Sequence, residues 1–443
     1  MKKTAIILFV LIGTTLQAQE KKWTLQECVA YALEHNISIK QSELDLKTAE
    51  INKKDAVGNF LPSLNASTSY SWSIGLTQNP TTFDAVTATS KTLSGGISSN
   101  ITLYDGLRNL NQLYRSNLEI TAGQYQLDKM KDDISLYVAN AFLQILFNKE
   151  QLQVLQSQQA VSNEDLERTK SLVEAGSLPK GDLLEIQATI ASQDQQIVNA
   201  KNAIMLSKIG LAQTLLIEDY QNFDIADVDY EVPPSNILNE SPNTIVAKAK
   251  EARYEIKIAE ANTHIAAYNV KIAKGALQPT LSGFYSFNSN YFTSELFNTA
   301  SFTSQVSDNK RHNFGLQLSI PIFNGFAASN NVGRSKVNYE RSKYQLEQAN
   351  LDLETKVYQA YNDTKGALKA YEAAQKTMAA REEAFNYSKE RYNVGLLNAF
   401  DYSQSQNKFE TAQSEVIRTK YDYIFKLKVL EFYFGIPITE LQN

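Results

Sequence analysis

The chain contains very little cysteine and histidine. Among its 443 residues there is one cysteine, Cys28, which excludes a disulfide framework within the chain. The three histidines, His35, His264 and His312, stand far apart, and none has the spacing of a metal-binding motif. No glycine-rich phosphate-binding loop follows a predicted strand. We therefore expect no metal, no cofactor and no enzymatic activity.

Basic charge and long apolar runs are also scarce. Lysine and arginine total 43 against 48 acidic residues, giving a net charge of −5, so we expect no nucleic-acid partner. Lys2 and Lys3 precede an apolar run that ends at Leu16, and Leu16-Gln-Ala18 resembles a cleavage site, which predicts a signal peptide over residues 1–18. No later run approaches the ~18–20 apolar residues that a transmembrane helix needs.

Proline is missing from two long stretches, 108–174 and 327–394, and glycine is rare there. At ~1.5 Å per residue, each stretch predicts a helix of ~100 Å. Apolar residues recur at intervals of seven in several parallel strings, one of which is Val337, Tyr344 and Leu351. This period predicts coiled-coil-like packing, and the number of strings indicates neighbours on more than one side.

Four short segments alternate between apolar and small polar residues, the pattern of half-buried strands. In 63–77, for example, Leu64, Trp72 and Ile74 share one face, and mostly serines occupy the other. The segments form two pairs, joined by polar loops that we predict over 79–93 and 292–311. Strands of ~9–11 residues with this alternation can cross a bilayer, although a soluble sandwich shows the same pattern.

The sequence is duplicated. GSLPKGDLLEIQ at 176–187 is matched 219 positions later by GLLNAFDYSQSQ at 395–406, and GNFLPSL at 58–64 is matched 217 positions later by GALQPTL. We predict two structural repeats, 19–232 and 233–443. The first contains a β-hairpin over 62–105, a helical hairpin over 107–216 and a tip near 176. The second contains a β-hairpin over 280–323, a helical hairpin over 326–433 and a tip near 395.

Helix starts are marked by capping patterns. Thr24-x-x-Glu27 is a capping box that opens a helix over about 25–57, and Ser241-Pro242 is the equivalent start in the second repeat. Asp182-x-x-Glu185 and Asp401-x-x-Gln404 also have the capping-box pattern.

Four strands cannot close a barrel, and lipid does not tolerate an open sheet edge. Closure needs at least eight strands. If the strands cross a membrane, the protein must therefore form oligomers: a dimer gives eight strands and a trimer twelve. The strand count does not decide between these two.

The chain resembles the TolC-like outer membrane efflux proteins over about residues 22–437. The resemblance rests on the opening WTLQECVAYALEHN, the turn SIPIFNGFAASNN, the tip RYNVGLLNAFDYSQSQ and the duplication. It implies an α+β membrane fold in which four transmembrane strands per chain form a twelve-stranded β-barrel in a homotrimer. Long antiparallel coiled-coil helices then continue the barrel as an α-helical barrel in the periplasm.

The resemblance also implies a function. Such channels passively conduct substrates from an inner-membrane pump, either resistance-nodulation-division or ATP-driven, through a periplasmic adaptor to the exterior. The expected location is the cell outer membrane, extending into the periplasm, with outer membrane lipid as a further partner. Two alternatives remain: the same channel dedicated to protein secretion rather than small-molecule efflux, or a periplasmic coiled-coil adaptor or scaffold. The four strands and the second helical hairpin argue against an adaptor.

Residues of the gate follow from the resemblance. Asp401 matches an inward-facing aspartate of a cation-selective constriction, and Gln404 occupies the position of a second aspartate. Tyr392 and Asp182 match positions that link neighbouring helices across the closed tip, and Leu397 replaces an arginine that helps to lock some members closed. The alternative for both aspartates is helix capping alone.

Two further groups of residues have assignments. The acidic segment 218–242 is predicted to be a solvated linker. Candidates for adaptor docking lie at the two tips, with ordinary charge on a solvated helix as the alternative for the arginines: Arg168, Gly176, Ser177, Leu178, Arg391, Gly395, Leu396 and Leu397.

Overall fold

The computed structural model describes residues 22–227, 232, 236–296 and 298–436. The predicted signal peptide lies outside these residues. The elements in chain order are β1 (Lys22–Trp23), α1 (Leu25–His35), α2 (Ile37–Gly58), β2 (Ser63–Gln78), β3 (Ala85–Tyr104), α3 (Arg108–Glu174), α4 (Lys180–Thr214), β4 (Asp224–Ile225), α5 (Pro242–Ala252), α6 (Tyr254–Gly275), β5 (Thr280–Ser294), α7 (Phe302–Asp308), β6 (Arg311–Ser319), α8 (Ala327–Asn393) and α9 (Ala399–Phe434).

The same order of elements occurs in both halves of the chain: two helices, two strands, a very long helix and a shorter one. The predicted long helices are confirmed, since α3 and α8 each contain 67 residues. Among the described residues, no helix is both long enough and apolar enough to cross a membrane.

Contacts divide the chain into two units that interleave along the sequence. Unit 1 comprises the described residues of 1–40, 130–253 and 353–443, and unit 2 comprises 41–129 and 254–352. Unit 1 contains the helix turns near 176 and 395, and unit 2 contains the four long strands. Helices α3 and α8 contribute residues to both units.

The prediction of one continuous helix over 25–57 is wrong. The chain leaves helical geometry at Asn36, where ψ is 132°, and this residue separates α1 from α2. The Asn36 side chain donates to the Thr214 carbonyl at 3.1 Å and accepts from the Ser38 N–H at 2.9 Å. The second repeat breaks at Arg253, 217 residues later and also with ψ 132°. Both breaks therefore depend on buried polar side chains with distant partners, which local helix propensity does not indicate. The predicted capping box at Thr24 and the cap at Ser241 are confirmed.

Unit 2 contains an antiparallel sheet in the order β2-β3-β5-β6. The predicted alternation is confirmed, but the predicted loops are too long. β3 begins at Ala85 and β5 continues to Ser294. The serine- and threonine-rich ends of these strands still pair through their backbones, and backbone pairing does not require apolar side chains.

One face of this sheet is apolar and exposed. Its exposed side chains include Leu64, Trp72, Ile74, Phe314 and Leu316, each at least 60% accessible. The opposite face presents mainly serine, asparagine and threonine. Within the described chain the sheet ends at β2 on one side and at β6 on the other.

Unit 1 has a conventional hydrophobic core between α1, α3, α4, β4 and α9. Cys28 is fully buried in it, so this thiol is a small core residue. Phe142, Leu211 and Ile424 pack in the same core. The core fixes the middle of α3 against the ends of α1 and α9.

The acidic segment after α4 is not a free solvated linker over its described part. Asp224 bonds Lys149 at 2.8 Å and Lys208 at 2.9 Å, and Asp227 bonds Lys149 at 2.7 Å and also Lys22. β1 and β4 pair beside these contacts. Burial raises the pKa of Asp224, but its two lysine partners outweigh this effect and lower the pKa below its ordinary value. The remaining acids of the segment's middle, Asp229 and Glu231, lie outside the described residues.

We expect Asp224→Asn to destabilise unit 1 by about 1–2 kcal/mol at pH 7, because two half-buried lysines lose a charged partner. Since the folded pKa is lower than the unfolded one, the stabilisation is present above the unfolded pKa and is lost as pH falls through the folded pKa. Chemical denaturation followed by circular dichroism should therefore separate the variant from the wild type at pH 7, and the difference should shrink as pH falls through the folded pKa of Asp224. Asp219→Asn, which alters an exposed local contact, is the control. An equal loss in both variants would contradict this assignment.

Candidate functional site

The helix turns of unit 1 have the same geometry in both repeats. Gly176 and Gly395 have φ of +73° and +76°, the left-handed conformation of a helix C-terminus. After each glycine the chain turns back to the helix: the Ser177 N–H donates to the Leu172 carbonyl at 2.9 Å, and the Leu396 N–H donates to the Arg391 carbonyl at 2.8 Å. No other atom lies near the place of a glycine Cβ, so the backbone angle, and not crowding, requires glycine here.

The helices after the turns begin earlier than the capping-box pattern suggested. Pro179 is the N-cap of α4, and Asn398 is the N-cap of α9. The Asp401 N–H donates to Asn398 Oδ1 at 2.8 Å, and Asn398 Nδ2 donates to Asp401 Oδ2 at 2.9 Å. The interpretation of Asp182 and Asp401 as N-caps is therefore wrong, because each lies in the first helical turn, three residues after the true cap.

The proposed gate residues differ in their surroundings. Asp401 and Gln404 are exposed, and Gln404 accepts a weak bond from Lys408 at 3.4 Å. Asp182 is half-buried. Tyr392 is buried, with 7% exposure. Leu397 packs beside it in a small apolar cluster.

A buried cluster joins three helices just inside the turns. We call Asp165, Thr169, Tyr392 and Tyr402 the tip cluster. The Tyr402 hydroxyl donates to Asp165 Oδ2 at 2.5 Å, and Tyr392 Oη lies 3.1 Å from Thr169 Oγ1. The two tyrosine rings are stacked with centroids 4.6 Å apart. The cluster thus connects α3 to both α8 and α9.

The electrostatics of the tip cluster keep both phenols neutral. Burial and the bonded Asp165 carboxylate raise the pKa of Tyr402 far above its usual range. Burial also raises the pKa of Tyr392, and negative charge at Asp182 and Asp165 adds to this effect. Neutral phenols are hydrogen-bond donors, so the Tyr402–Asp165 bond persists throughout the physiological pH range.

A second polar layer continues the contact between α3, α4 and α9. Gln406 Nε2 donates to Ser162 Oγ at 2.8 Å and to Glu410 Oε1 at 2.9 Å, and Gln193 Nε2 donates to the same carboxylate oxygen at 3.0 Å. Burial raises the pKa of Glu410, and the two amide donors offset part of that rise. Polar contacts therefore add to the apolar cluster in holding these helices together near the turns.

The sequence analysis found Tyr392 but missed Asp165, Thr169 and Tyr402. A signal was present in the duplication. At the offset of 219, Tyr392 corresponds to Val173 and Tyr402 to Leu183. The aromatic pair thus exists in one repeat only. Positions at which the two copies of a duplicated chain differ are candidates for residues that act in only one copy.

The candidate docking residues lie on the surface of the two turns. Gly176, Ser177, Arg391, Gly395 and Leu396 are exposed, and Arg168 and Leu178 are half-buried. Three apolar side chains project into solvent around the second turn: Val394 (70% exposed), Leu396 (69%) and Phe400 (63%).

A groove of about 580 Å³ lies beside the second turn. It is lined by Phe400 and Gln404 and by charges of both signs, among them Glu185, Arg381 and Lys408. In the described part of the chain, no group of three or more metal-ligating side chains comes together.

We expect Tyr402→Phe to cost about 1–3 kcal/mol, since the buried Asp165 carboxylate loses its donor. Removing both partners in Asp165→Leu/Tyr402→Phe should cost less than the sum of the single variants, because no buried charge is left unpaired. Denaturation of the three variants in detergent gives the coupling energy. Additive losses would show that the two side chains do not interact.

The comparisons with known proteins agree on one family. The model of the family described as "Outer membrane efflux protein" matches residues 29–215 and 245–435. Outer membrane protein TolC of Vibrio cholerae is 23% identical over 374 residues, covering 83% of this chain and 80% of that protein. Outer membrane efflux protein BepC of Brucella suis is 23% identical over 427 residues, covering 94% and 86%.

The fold has close counterparts among solved structures. The outer membrane protein VceC of Vibrio cholerae superposes with a TM-score of 0.78 at 15% identity, covering 93% of this chain and 96% of that one. This similarity supports the α+β fold of long helices and a four-stranded sheet. Because the family model matches most of both halves, the chain belongs to the outer membrane efflux protein family.

Proposed function

We propose that this protein is a homotrimeric channel of the outer membrane. It passively conducts substrates that an inner-membrane pump delivers through a periplasmic adaptor, and its helix turns open and close the periplasmic end. Each repeat, 19–232 and 233–443, contributes one β-hairpin to the membrane part and one helical hairpin to the periplasmic part.

The four-stranded sheet carries this proposal. Its apolar face is exposed, and both outer strands, β2 and β6, lack a partner within the described chain. Apolar side chains on one face and polar ones on the other are what a membrane strand presents to lipid and to water. Because lipid does not tolerate unpaired edges, β6 of one copy should pair with β2 of the next. Three copies give a closed barrel of twelve strands.

The gate is proposed at the turns of unit 1. The exposed Asp401 carboxylate is suited to a ring of three negative charges at the narrow end of the channel. The tip cluster holds α8 and α9 against α3, so movement of the second turn relative to the first must break the Tyr392–Thr169 and Tyr402–Asp165 bonds. Opening is therefore costly without a partner that binds the open form better.

Adaptor docking is proposed at the same turns. Val394, Leu396 and Phe400 are exposed apolar residues beside the charged groove, which is the combination expected of an interface with an apolar centre and a polar rim. Arg391 lies at the edge of this surface and donates to the Leu396 carbonyl at 3.3 Å, so it also supports the turn.

In this proposal the pump selects which cargo enters the channel. Relatives include proteins named for protease secretion and for pyoverdine export, so dedication to protein secretion remains the second candidate within the channel class. An adaptor or scaffold role does not account for a sheet with an exposed apolar face and two open edges.

Single-channel recording of the purified mature protein in a planar bilayer tests the proposal. We expect small, stable, cation-preferring currents and a trimer by mass measurement in detergent. A folded protein that never inserts into the bilayer would contradict the barrel.

Asp401→Asn should lower the preference for cations by about twofold or more, since three carboxylates leave the constriction. Gln404→Asp should act in the opposite direction, because it adds a carboxylate one helical turn further along α9. Reversal potentials in a KCl gradient measure both effects. Unchanged ion selectivity in Asp401→Asn would remove Asp401 from the gate.

Gly395→Val should abolish efflux without changing the yield of trimer, because a β-branched residue does not adopt the φ of +76° that the turn requires. Gly395→Asn is the matched control, because asparagine tolerates this conformation and no neighbouring atom crowds its side chain. Drug-susceptibility assays in a strain lacking the native protein give the readout. Normal efflux by the valine variant would argue against docking at this turn.

A further inference from the structure

The four long strands carry almost no charge. Along all of β2, β3, β5 and β6, which the structure describes completely, only Lys91 and Arg311 carry a permanent charge, and both are positive. The helical part of the chain, in contrast, is rich in charges of both signs. Each of the two strand cations therefore contributes most of the permanent charge on its own face of the sheet.

The two cations lie on opposite faces. Lys91 is paired with Trp72, whose neighbours on the same face are Tyr70 and Ile74, so Lys91 belongs to the apolar face. His312 also belongs to that face, since its Nδ1 lies 3.0 Å from the Tyr285 hydroxyl and its ring centroid 4.9 Å from that of Phe287. Successive side chains in a strand point to opposite faces.

Arg311, immediately before His312, therefore projects from the polar face. The strand pairing supports this, because Arg311 is paired with Asn288, Asn288 with Gly96, and Gly96 with Ser67. A Cβ on Gly96 would come within 3.1 Å of Asn288 Cβ, which places both positions on the same face.

The residues paired in one row with Arg311 are Asn288, Gly96 and Ser67. This row leaves space for the arginine side chain, because Ser67 and Asn288 are small polar residues and Gly96 has no side chain. Nearer the helices, the Phe284 ring covers Gly315 on this face, with 3.0 Å from the ring to the place of a Cβ. Arg311 is exposed and is the only long charged side chain that the described strands present on the polar face.

Arg311 has a defined place along the sheet. It is the first residue of β6, and α8 follows the other end of that strand. Its row crosses β3 at Gly96 and β2 at Ser67, and both strands continue beyond this row on the side away from the helices. In the proposed channel, Arg311 therefore lies on the lumen wall part-way along the barrel.

We propose that Arg311 determines charge selectivity within the barrel, where three copies form a ring of positive charge on the lumen wall that favours anions and opposes the return of cations. This inference rests on the proposed function, because the ring exists only in the closed trimer. The cargo class that it suits is an anionic or zwitterionic solute, whose exit it assists.

Screening limits the range of such a ring. The Debye length is about 10 Å in 0.1 M salt and about 3 Å in 1 M salt. Three guanidinium groups on the wall of a barrel therefore influence ions across much of the lumen at low salt and only near the wall at high salt. The effect of Arg311 should depend strongly on ionic strength.

The test is a measurement of ion selectivity in planar bilayers under a KCl gradient. The parent is Asp401→Asn protein, in which the acidic ring no longer dominates. Adding Arg311→Gln should raise the ratio of K⁺ to Cl⁻ permeability by about twofold or more near 0.1 M salt and leave it nearly unchanged near 1 M. Arg311→Lys should retain the parent ratio. Lys91→Gln is the matched control, because it removes the same charge from the opposite face.

The outcomes separate this inference from the proposed function. If the parent protein conducts and Arg311→Gln leaves its ratio unchanged at low salt, Arg311 has no selective role. An equal shift with Lys91→Gln would assign the effect to overall charge and would also overturn the inference. A wild-type protein that forms no pore would overturn the channel itself, and this inference with it.

A chemical variant guards against failure of Arg311→Gln to fold. Arg311→Cys can be modified in inserted channels by thiosulfonate reagents, because the native Cys28 is fully buried. A cationic reagent should lower the K⁺ to Cl⁻ ratio, and an anionic reagent should raise it. Absence of both shifts in a reactive, conducting channel would also exclude a selective role.

Discussion

The need of every backbone N–H and C=O group for a partner is the constraint on which this structure depends. The helices satisfy it internally, and α3 and α8 do so over 67 residues each. The sheet does not, because β2 and β6 lack outer partners in the described chain. Combined with the exposed apolar face, those open edges favour the closed assembly of several copies in lipid that we propose.

The two repeats have the same elements but not the same role. Both turn at a left-handed glycine, and both break their first helix at positions 217 residues apart, Asn36 and Arg253. Only the second repeat has the tyrosine pair that bonds to α3, however. The tip cluster thus makes the second turn the one whose position depends on buried polar bonds. Such bonds are strong when complete and costly when broken, which suits an element with two discrete positions.

The sheet and the helix turns differ in how much charge they carry. The sheet presents small polar side chains on one face and two cations in total, whereas glutamates, an arginine and a lysine line a groove beside the second helix turn. In the proposed channel, the solute meets an acidic periplasmic constriction at Asp401 and leaves past Arg311.

The sequence by itself determined the elements and the family. Proline-free stretches, strict alternation and the duplication depend on local periodicity and backbone propensity, which are readable without contacts. Only the tertiary structure decided the rest: the break at Asn36, the lysine partners of Asp224, and the hydrogen bond between Asp165 and Tyr402. These features join residues as far as 237 positions apart through buried side chains. No local pattern records such pairs, because their energy comes from desolvated partners that only the folded chain brings together.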